Sequence, residues 1–372
     1  MNKKKVLIVS RSFFPMNSPR SFRTTELAKE LARQGHEVTV ITPKDIEIHT
    51  SFEKEHNIVI KDLGKPTWKA IQLNGRGLNL KIRRLVRRVS NLVLQYPEIE
   101  LQWLVNQALK NESGYDLLIS VAVPYPVHWG VAMTRSEAHR IAKVWIADCG
   151  DPFMGQENDT FTPPFFYKYV EKWFCRKADY LTVPTTGAKR GYYPEFQEKI
   201  KVIPQGFRFE DFQSTDNTGG NDIPTFGYAG GFIPGRRDPK ELLEYLVNLD
   251  LKFRFHIYTN VPGLVRPFLE KAEGRIILHE YIPRQELLAH LSQMDFVVNF
   301  ENIGDKQTPS KLIDYAIIGK PILSIKTGAL DKAVVNEFFA RDYHNQLSVE
   351  NPDQYRIENV CSKFLELAHS EE

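Results

Sequence analysis

The chain has 372 residues, too many for one ordinary core and enough for two domains of roughly 150–200 residues each. Hydrophobic residues make up 42% and charged residues 26%, a soluble globular composition, and a net charge of +3 is too small to imply nucleic acid as a partner. Three cysteines at no regular spacing, Cys149, Cys175 and Cys361, argue against a disulfide framework or a zinc site and point to a reducing compartment.

The basic start Met1-Asn2-Lys3-Lys4-Lys5 runs straight into Val6-Leu7-Ile8-Val9, an apolar run too short for a signal peptide and suited to a buried strand. No stretch approaches the roughly 20 apolar residues that span a bilayer. The expectation is therefore a cytoplasmic protein, free or attached to the inner face of the membrane. Arg11 to Arg23 reads as a long loop. From Thr24 to Gln34, Leu27, Ala28, Leu31 and Ala32 fall on one helical face, Gly35 stops the helix, and Val38 to Ile41 starts a second strand. Two strands joined by a crossover helix make a parallel sheet.

From Leu63 to Pro97 there are eight basic residues and no acid, which leaves the rest of the chain net acidic. Within Lys81 to Leu94, Ile82, Leu85, Val86, Val89 and Leu92 repeat at helical spacing opposite Arg83, Arg84, Arg87 and Arg88. Two readings stand. A basic amphipathic helix suits an anionic membrane surface or a lipid-diphosphate acceptor, or else it packs its apolar stripe on its own domain and leaves a solvated basic face.

Apolar runs at Leu117–Ile119, Val144–Ala147, Tyr180–Val183 and Lys201–Ile203 predict further strands. Ser214 to Asp222 is polar and flexible, a linker by composition. The alternation then restarts, with strands at Thr225–Tyr228, Phe253–Tyr258, Ile276–Leu278, Phe296–Phe300 and Ile322–Ile325. Helices are expected at Pro239–Asn248, Leu264–Lys271, Arg284–Gln293 and Pro309–Ile318, with a last one between Pro352 and His369. Two βαβ runs predict an α/β chain of two Rossmann-like, doubly wound domains, spanning residues 1–204 and 205–345, with residues 346–372 as a C-terminal helix returning to the first domain. Ligands of such sheets bind outside the carboxyl ends of the strands, so a cleft between the domains is the expected site.

Two segments of the second half carry chemistry. In Phe226 to Pro239 a strand leads into Gly230-Gly231, then Arg236-Arg237, then a helix. Glycines allow close backbone approach and arginines grip a diphosphate with paired N–H donors, although a turn with exposed arginines reads the same way. No G-x-G-x-x-G fingerprint is present, which speaks against a dehydrogenase. In Gln307 to Pro321, Thr308 caps a helix with Pro309 at its first position, so Ser310 and Lys311 sit in the first turn among free N–H groups. A lysine opposes the helix dipole there unless an anion lies between them, while a solvated lysine on an ordinary helix is the other reading.

In this order the segments resemble the donor domain of GT-B glycosyltransferases, specifically the large family 4 of retaining enzymes. Val202-Ile203-Pro204-Gln205-Gly206 resembles the family's "VIPNG", Glu26 to Thr42 its first helix and second strand, and Trp145 to Phe153 a "DFRDPW" segment of a bacterial polysaccharide subgroup. The resemblance covers nearly the whole chain. It implies that Gly230, Gly231, Arg236, Arg237, Ser310 and Lys311 meet the donor diphosphate, Asp314 the ribose, and the backbone around Ile282 the base. It also implies that the loop from Phe13 to Arg23, with Ser18, Arg20 and Arg23, borders donor phosphate and acceptor, and that Asp148, Asp151 and His128 lie near the reacting sugar. Acids after a buried strand also cap helices, and a lone histidine among apolar residues is often a core residue, so these three keep both readings. The family usually carries E-x7-E; here Asp314 stands at the second glutamate and Lys306 at the first, with Ser18-Pro19 in place of a Gly-Gly pair.

The expected activity is metal-independent transfer of a sugar from a nucleoside-diphosphate sugar to a glycan or lipid-linked acceptor with the anomeric configuration kept, and no cofactor. No Asp-x-Asp and no histidine pair of ligand spacing occurs, so basic side chains would carry the diphosphate charge. A sugar-nucleotide epimerase of the same fold and a non-catalytic nucleotide-sugar-binding scaffold are the alternatives.

Overall fold

The structure, a computed structural model, describes residues 2–73, 77–150, 152–155, 163–212, 220–301, 310–349 and 351–369, without the side chains of Ser310 and Lys311. The chain divides into two compact units, residues 1–207 with 357–372, and residues 208–356.

In the first unit the order is β1 (Lys5–Ser10), α1 (Pro19–Arg33), β2 (Glu37–Thr42), α2 (Ile46–His56), β3 (Val59–Asp62), α3 (Leu78–Leu94), α4 (Glu100–Leu109), β4 (Tyr115–Val121), α5 (Pro126–Thr134), β5 (Ala142–Asp148), α6 (Tyr167–Lys177), β6 (Tyr180–Val183), α7 (Thr186–Lys189) and β7 (Ile200–Val202). The second unit holds β8 (Thr225–Ala229), α8 (Lys240–Val247), β9 (Arg254–Tyr258), α9 (Arg266–Leu269), β10 (Ile276–His279), α10 (Arg284–Ser292), β11 (Phe296–Phe300), α11 (Ser310–Ile318), β12 (Ile322–Ile325) and α12 (Lys332–Phe339). The chain then returns to the first unit as α13 (Ile357–Leu367).

Both sheets are parallel. Their orders, β3-β2-β1-β4-β5-β6-β7 and β10-β9-β8-β11-β12, reverse direction beside the first strand of each sheet. Successive side chains of a strand point to opposite faces, and here both faces are covered, so the strands read as continuous apolar runs. Leu7 and Val9 join the core beneath α4, α5 and α6, while Val6 and Ile8 join the opposite core with Leu27 and Leu31 of α1 and Val360 and Phe364 of α13. At Gly206 an added Cβ would lie 2.8 Å from Ile357 Cδ1, so only glycine lets the chain after β7 pass this close to α13. In the second unit Phe226 stacks between Phe255 (4.5 Å) and Phe296 (4.6 Å), an aromatic row across three strands.

The structure differs from the sequence reading in places. Residues 19–23 are helical, not loop: Ser18 caps α1 by accepting the Ser21 N–H at 3.2 Å, and Pro19 takes the first helical position, where its missing N–H costs nothing. Helices α2, α4, α5, α6, α7 and α12 and strand β3 are not among the elements expected from the sequence. The helix expected near Leu264 to Lys271 is a single turn behind Pro262–Leu264. The basic helix is present as α3, but no residue of it is buried. Most of the expected linker, and Thr308 and Pro309, lie outside the described residues. Among the described residues no helix is long and apolar enough to cross a membrane.

Candidate active site

In the second unit the strand order reverses between β8 and β11, and these strands pair only at Phe296–Phe226 and Val297–Gly227 before they part. Tyr315 of α11 fills the gap: its hydroxyl donates to the Val298 carbonyl at 3.0 Å and accepts the Ala229 N–H at 3.4 Å. Such a switch point, open at the carboxyl ends of the strands, is where doubly wound sheets take ligands.

The Gly-rich loop starts there. Gly230 takes φ +148°, a conformation open to glycine, and donates to the Tyr258 carbonyl at 3.0 Å. Phe232 is buried against Tyr228 (4.7 Å) and anchors the loop. Ile233 and Arg237 exchange backbone hydrogen bonds of 3.1 and 3.0 Å, closing a tight turn. Thr327 holds that turn from the loop after β12, donating to the Arg236 carbonyl at 2.5 Å and accepting the Asp238 N–H at 3.2 Å. Arg236 is exposed; Arg237 is half-buried, and its Nε has no hydrogen-bond partner. At Gly231 the nearest atom to an added Cβ is Asn260 Oδ1 at 3.7 Å, so the fold itself leaves room for a side chain there.

Asp314 of α11 is held by Arg284, at the start of α10, through Nε at 2.8 Å and Nη2, both on Oδ1. Burial raises its pKa despite that arginine. The pair ties α11 to the turn carrying Ile282, which packs half-buried on the cluster around Tyr258 and Tyr315. The backbone of Ser310 and Lys311 opens α11; their side chains, and the whole of Lys306, lie outside the described residues.

In the first unit Asp148 ends β5 with 2% exposure. Arg23 donates to Oδ2 through Nε at 3.0 Å and to Oδ1 through Nη2 at 2.8 Å, and the Thr182 hydroxyl donates to Oδ1 at 2.7 Å. Burial alone would raise the Asp148 pKa; Arg23, Arg20 and Thr182 outweigh it and hold the carboxyl below its ordinary value. Arg23 also donates to the Ile203 carbonyl at 3.1 Å and to that of Pro204, and is itself 3% exposed. Arg20 approaches Asp148 Oδ2 at 3.8 Å and lies over Gly150, where an added Cβ would meet its Nη2 at 2.1 Å. Ser18 is the cap of α1. Asp151 lies outside the described residues.

His128 is fully buried on α5. Its Nδ1 meets Ser120 Oγ at 2.8 Å, and that oxygen accepts from Trp145 Nε1 at 2.8 Å. Burial lowers its pKa to about 3, so the ring is neutral, and Nε2 has no hydrogen-bond partner. Arg20, Arg23, His128 and Asp148 thus gather at one end of the first sheet, and Gly230, Gly231, Arg236 and Arg237 at the switch point of the second. The sequence reading missed Thr182, Arg284, Tyr315 and Thr327. Only Thr182 left a local signal, as a polar residue inside an apolar run. Among the described residues no three His, Cys, Asp or Glu side chains are placed to hold a metal ion.

The model of glycosyltransferase family 4 matches residues 22–210, just over half of the chain. No curated protein matches. A glycosyltransferase of Rickettsia africae is similar over 99% of this chain and 98% of its own, at 12% identity and a TM-score of 0.63. The lipopolysaccharide outer core galactosyltransferase WaaB, in its apo form, is similar over 99% of this chain and 100% of its own, at 12% identity and a TM-score of 0.59. HepE of Anabaena, solved with UDP and glucose, is similar over 99% of this chain and 98% of its own, at 11% identity and a TM-score of 0.55. At such identities the solved structures speak for the fold alone. The family match, which runs from the helix bearing Arg23 through His128 and Asp148 to the end of the first sheet, speaks for descent: the chain belongs to glycosyltransferase family 4 and is a glycosyltransferase of the GT-B fold.

Proposed function

We propose that the chain moves a sugar from a nucleoside-diphosphate sugar to a glycan or lipid-linked acceptor, keeping the anomeric configuration and using neither metal nor cofactor. The observation that carries this reading is the loop after β8. Gly231 has room for a side chain that the fold does not forbid, beside an arginine whose Nε is unpartnered and another that is exposed. A diphosphate drawn against that backbone explains both the glycine and the arginines. Lys311, in the first turn of α11, adds positive charge to an end of the helix where N–H groups favour an anion. Arg236, Arg237 and Lys311 then stabilise the leaving diphosphate as an oxocarbenium-like sugar forms. Asp314 takes the ribose and the backbone at Ile282 the base. HepE, solved with UDP and glucose, supports a donor of this class.

On the acceptor side, Asp148 has its oxygens engaged by Arg23 and Thr182 and acts by positioning Arg20, while His128 and Asp151 complete the set. The reaction belongs in the cytoplasm, with a lipid-linked acceptor reached at the inner membrane face. The test is thermal stabilisation by a panel of UDP-, GDP- and dTDP-sugars, then product analysis by NMR with and without EDTA. One donor should stabilise the wild type, and Gly231→Ala and Arg237→Ala should each weaken that binding about tenfold or more while the unliganded melting temperature stays unchanged. Unaltered donor affinity in both variants, or an inverted anomer, overturns the reading. Lys306 at the first glutamate of the family pattern favours a second reading, donor binding without transfer, which the same panel reveals as stabilisation with no product.

A further inference from the structure

An amphipathic helix normally buries its apolar stripe, because each exposed aliphatic side chain forgoes the gain of leaving water. Helix α3 does not. Apolar residues at 78, 82, 85, 86, 89 and 93 form a stripe about 100° wide at 100° per residue, with Leu92, half-buried, at its edge. Leu78 is 72% exposed and Leu85 63%, and no residue of the helix belongs to either core of the first unit. Polar contacts help to fasten α3: Arg83 Nη1 donates to the Gln72 carbonyl at 3.3 Å, and the Tyr167 hydroxyl donates to the backbone carbonyl of Val93 at 3.0 Å. The opposite side of the helix carries Lys81, Arg83, Arg84, Arg87 and Arg88, with no acid between residues 63 and 97. The side chains of Lys81, Arg84 and Arg87 have no ion pair or hydrogen bond to any described residue.

The Tyr167 hydrogen bond also brings the start of α6 alongside, where Phe165 is 73% and Tyr169 58% exposed. Just after the helix Tyr96 stacks on Trp68 (5.7 Å), which meets Trp103 (5.7 Å), and both tryptophans are more than 40% exposed. Aromatic rings at the edge of a basic, apolar-striped helix are the chemistry of a bilayer interface: aliphatic residues enter the acyl boundary, rings sit at headgroup depth, and long basic side chains reach lipid phosphates.

We propose that α3, with the aromatic residues of segments 68–103 and 165–169, docks the first unit on an anionic lipid bilayer. The charge selects the occupant. Nucleic acid would satisfy the arginines and leave the aliphatic stripe and rings in water, and a second copy of this acid-free helix would offer the arginines no counter-charge. The purpose of docking, meeting a lipid-linked acceptor, rests on the proposed function; the docking itself does not.

The test is flotation of the full chain with vesicles of phosphatidylcholine alone or with phosphatidylglycerol, at low and high salt, without donor. Wild type should float with the anionic vesicles and be released by salt. Brominated lipid should quench its fluorescence through Trp68 and Trp103. The charge reversal Arg83→Glu, Arg84→Glu, Arg87→Glu, Arg88→Glu should lower partitioning about 100-fold or more. Leu85→Asp with Val89→Asp, which keeps every arginine, should lower it about tenfold or more and abolish quenching. Stabilisation by the donor in both variants checks that they fold, and it fails separately if the proposed function is wrong. Equal flotation with neutral and anionic vesicles overturns the docking. So does full binding by the Leu85→Asp, Val89→Asp variant, or a stable dimer that this variant dissolves.

Discussion

A carboxyl group buried in an apolar core must be compensated or neutral, and Asp148 and Glu171 of the first unit show the two cases. Asp148 is compensated by the bidentate Arg23 pair and stays ionised. Glu171 of α6 is 1% exposed and has no cationic partner among the described residues; it receives the backbone N–H groups of Phe153 and Met154, at 3.3 and 3.4 Å, and the Tyr193 hydroxyl. Burial pushes its pKa up from 4.5 to about 7. With the folded value above the unfolded one, the folded chain binds the extra proton between these limits. The contribution is therefore complete below pH 4.5 and is lost as pH rises through about 7. Wild type should lose roughly 3 kcal/mol relative to Glu171→Gln across that window, because the amide keeps the shape and does not titrate. Urea unfolding of both proteins at several pH values checks this, and a difference that is flat with pH refutes it. Asp148 and Arg23 show the limit of reading residues one at a time. Both were legible as site candidates from the resemblance, yet nothing local indicates that each is the other's partner.

At the scale of elements, capping chemistry decides where α1 begins and hence what Arg20 and Arg23 are. On a loop they would be free to sample solvent; in the first turns of a helix capped by Ser18 they point at the end of β5. Ser18→Ala removes the bond to the Ser21 N–H and should cost about 1 kcal/mol of stability, read as a lowered urea midpoint with unchanged slope. If Arg20 is positioned by this turn, acceptor KM should rise in the same variant while donor affinity holds. The Ser-Pro signal is present in the sequence, but the apolar periodicity begins only after it, so periodicity alone starts the helix five residues late. Helix α3 was legible for the opposite reason: its periodicity is strong, and only its lack of a core to cover was hidden.

At the scale of the whole molecule, the chain crosses from one unit to the other twice, and its last helix belongs to the first sheet. Val360, Cys361 and Phe364 of α13 are fully buried beside α1, and the Arg23 guanidinium lies 5.1 Å from the centre of the Phe364 ring. Phe364→Ala should cost the first unit about 3–5 kcal/mol. All five tryptophans, Trp68, Trp103, Trp129, Trp145 and Trp173, lie in that unit, so fluorescence reports its unfolding alone. The fluorescence midpoint should fall, although the substitution is 191 residues from the nearest tryptophan in sequence. An unmoved midpoint would show that α13 does not stabilise the first unit.

The sequence by itself determined the two runs of parallel strands, because a strand buried on both faces must be apolar throughout, and it determined the Gly-rich and basic loops that punctuate them. Tertiary structure alone decided which side chains meet. Arg23 and Asp148 are 125 residues apart, Asp314 and Arg284 are 30, and Thr327 holds a turn 91 residues before it. These pairs form because each sheet reverses its strand order beside its first strand, bringing together the ends of segments that are not neighbours in the chain. Periodicity records which face of a segment is buried. It carries no record of the segment that buries it, which is why the exposed stripe of α3 reads in sequence like any helix with a core beneath it.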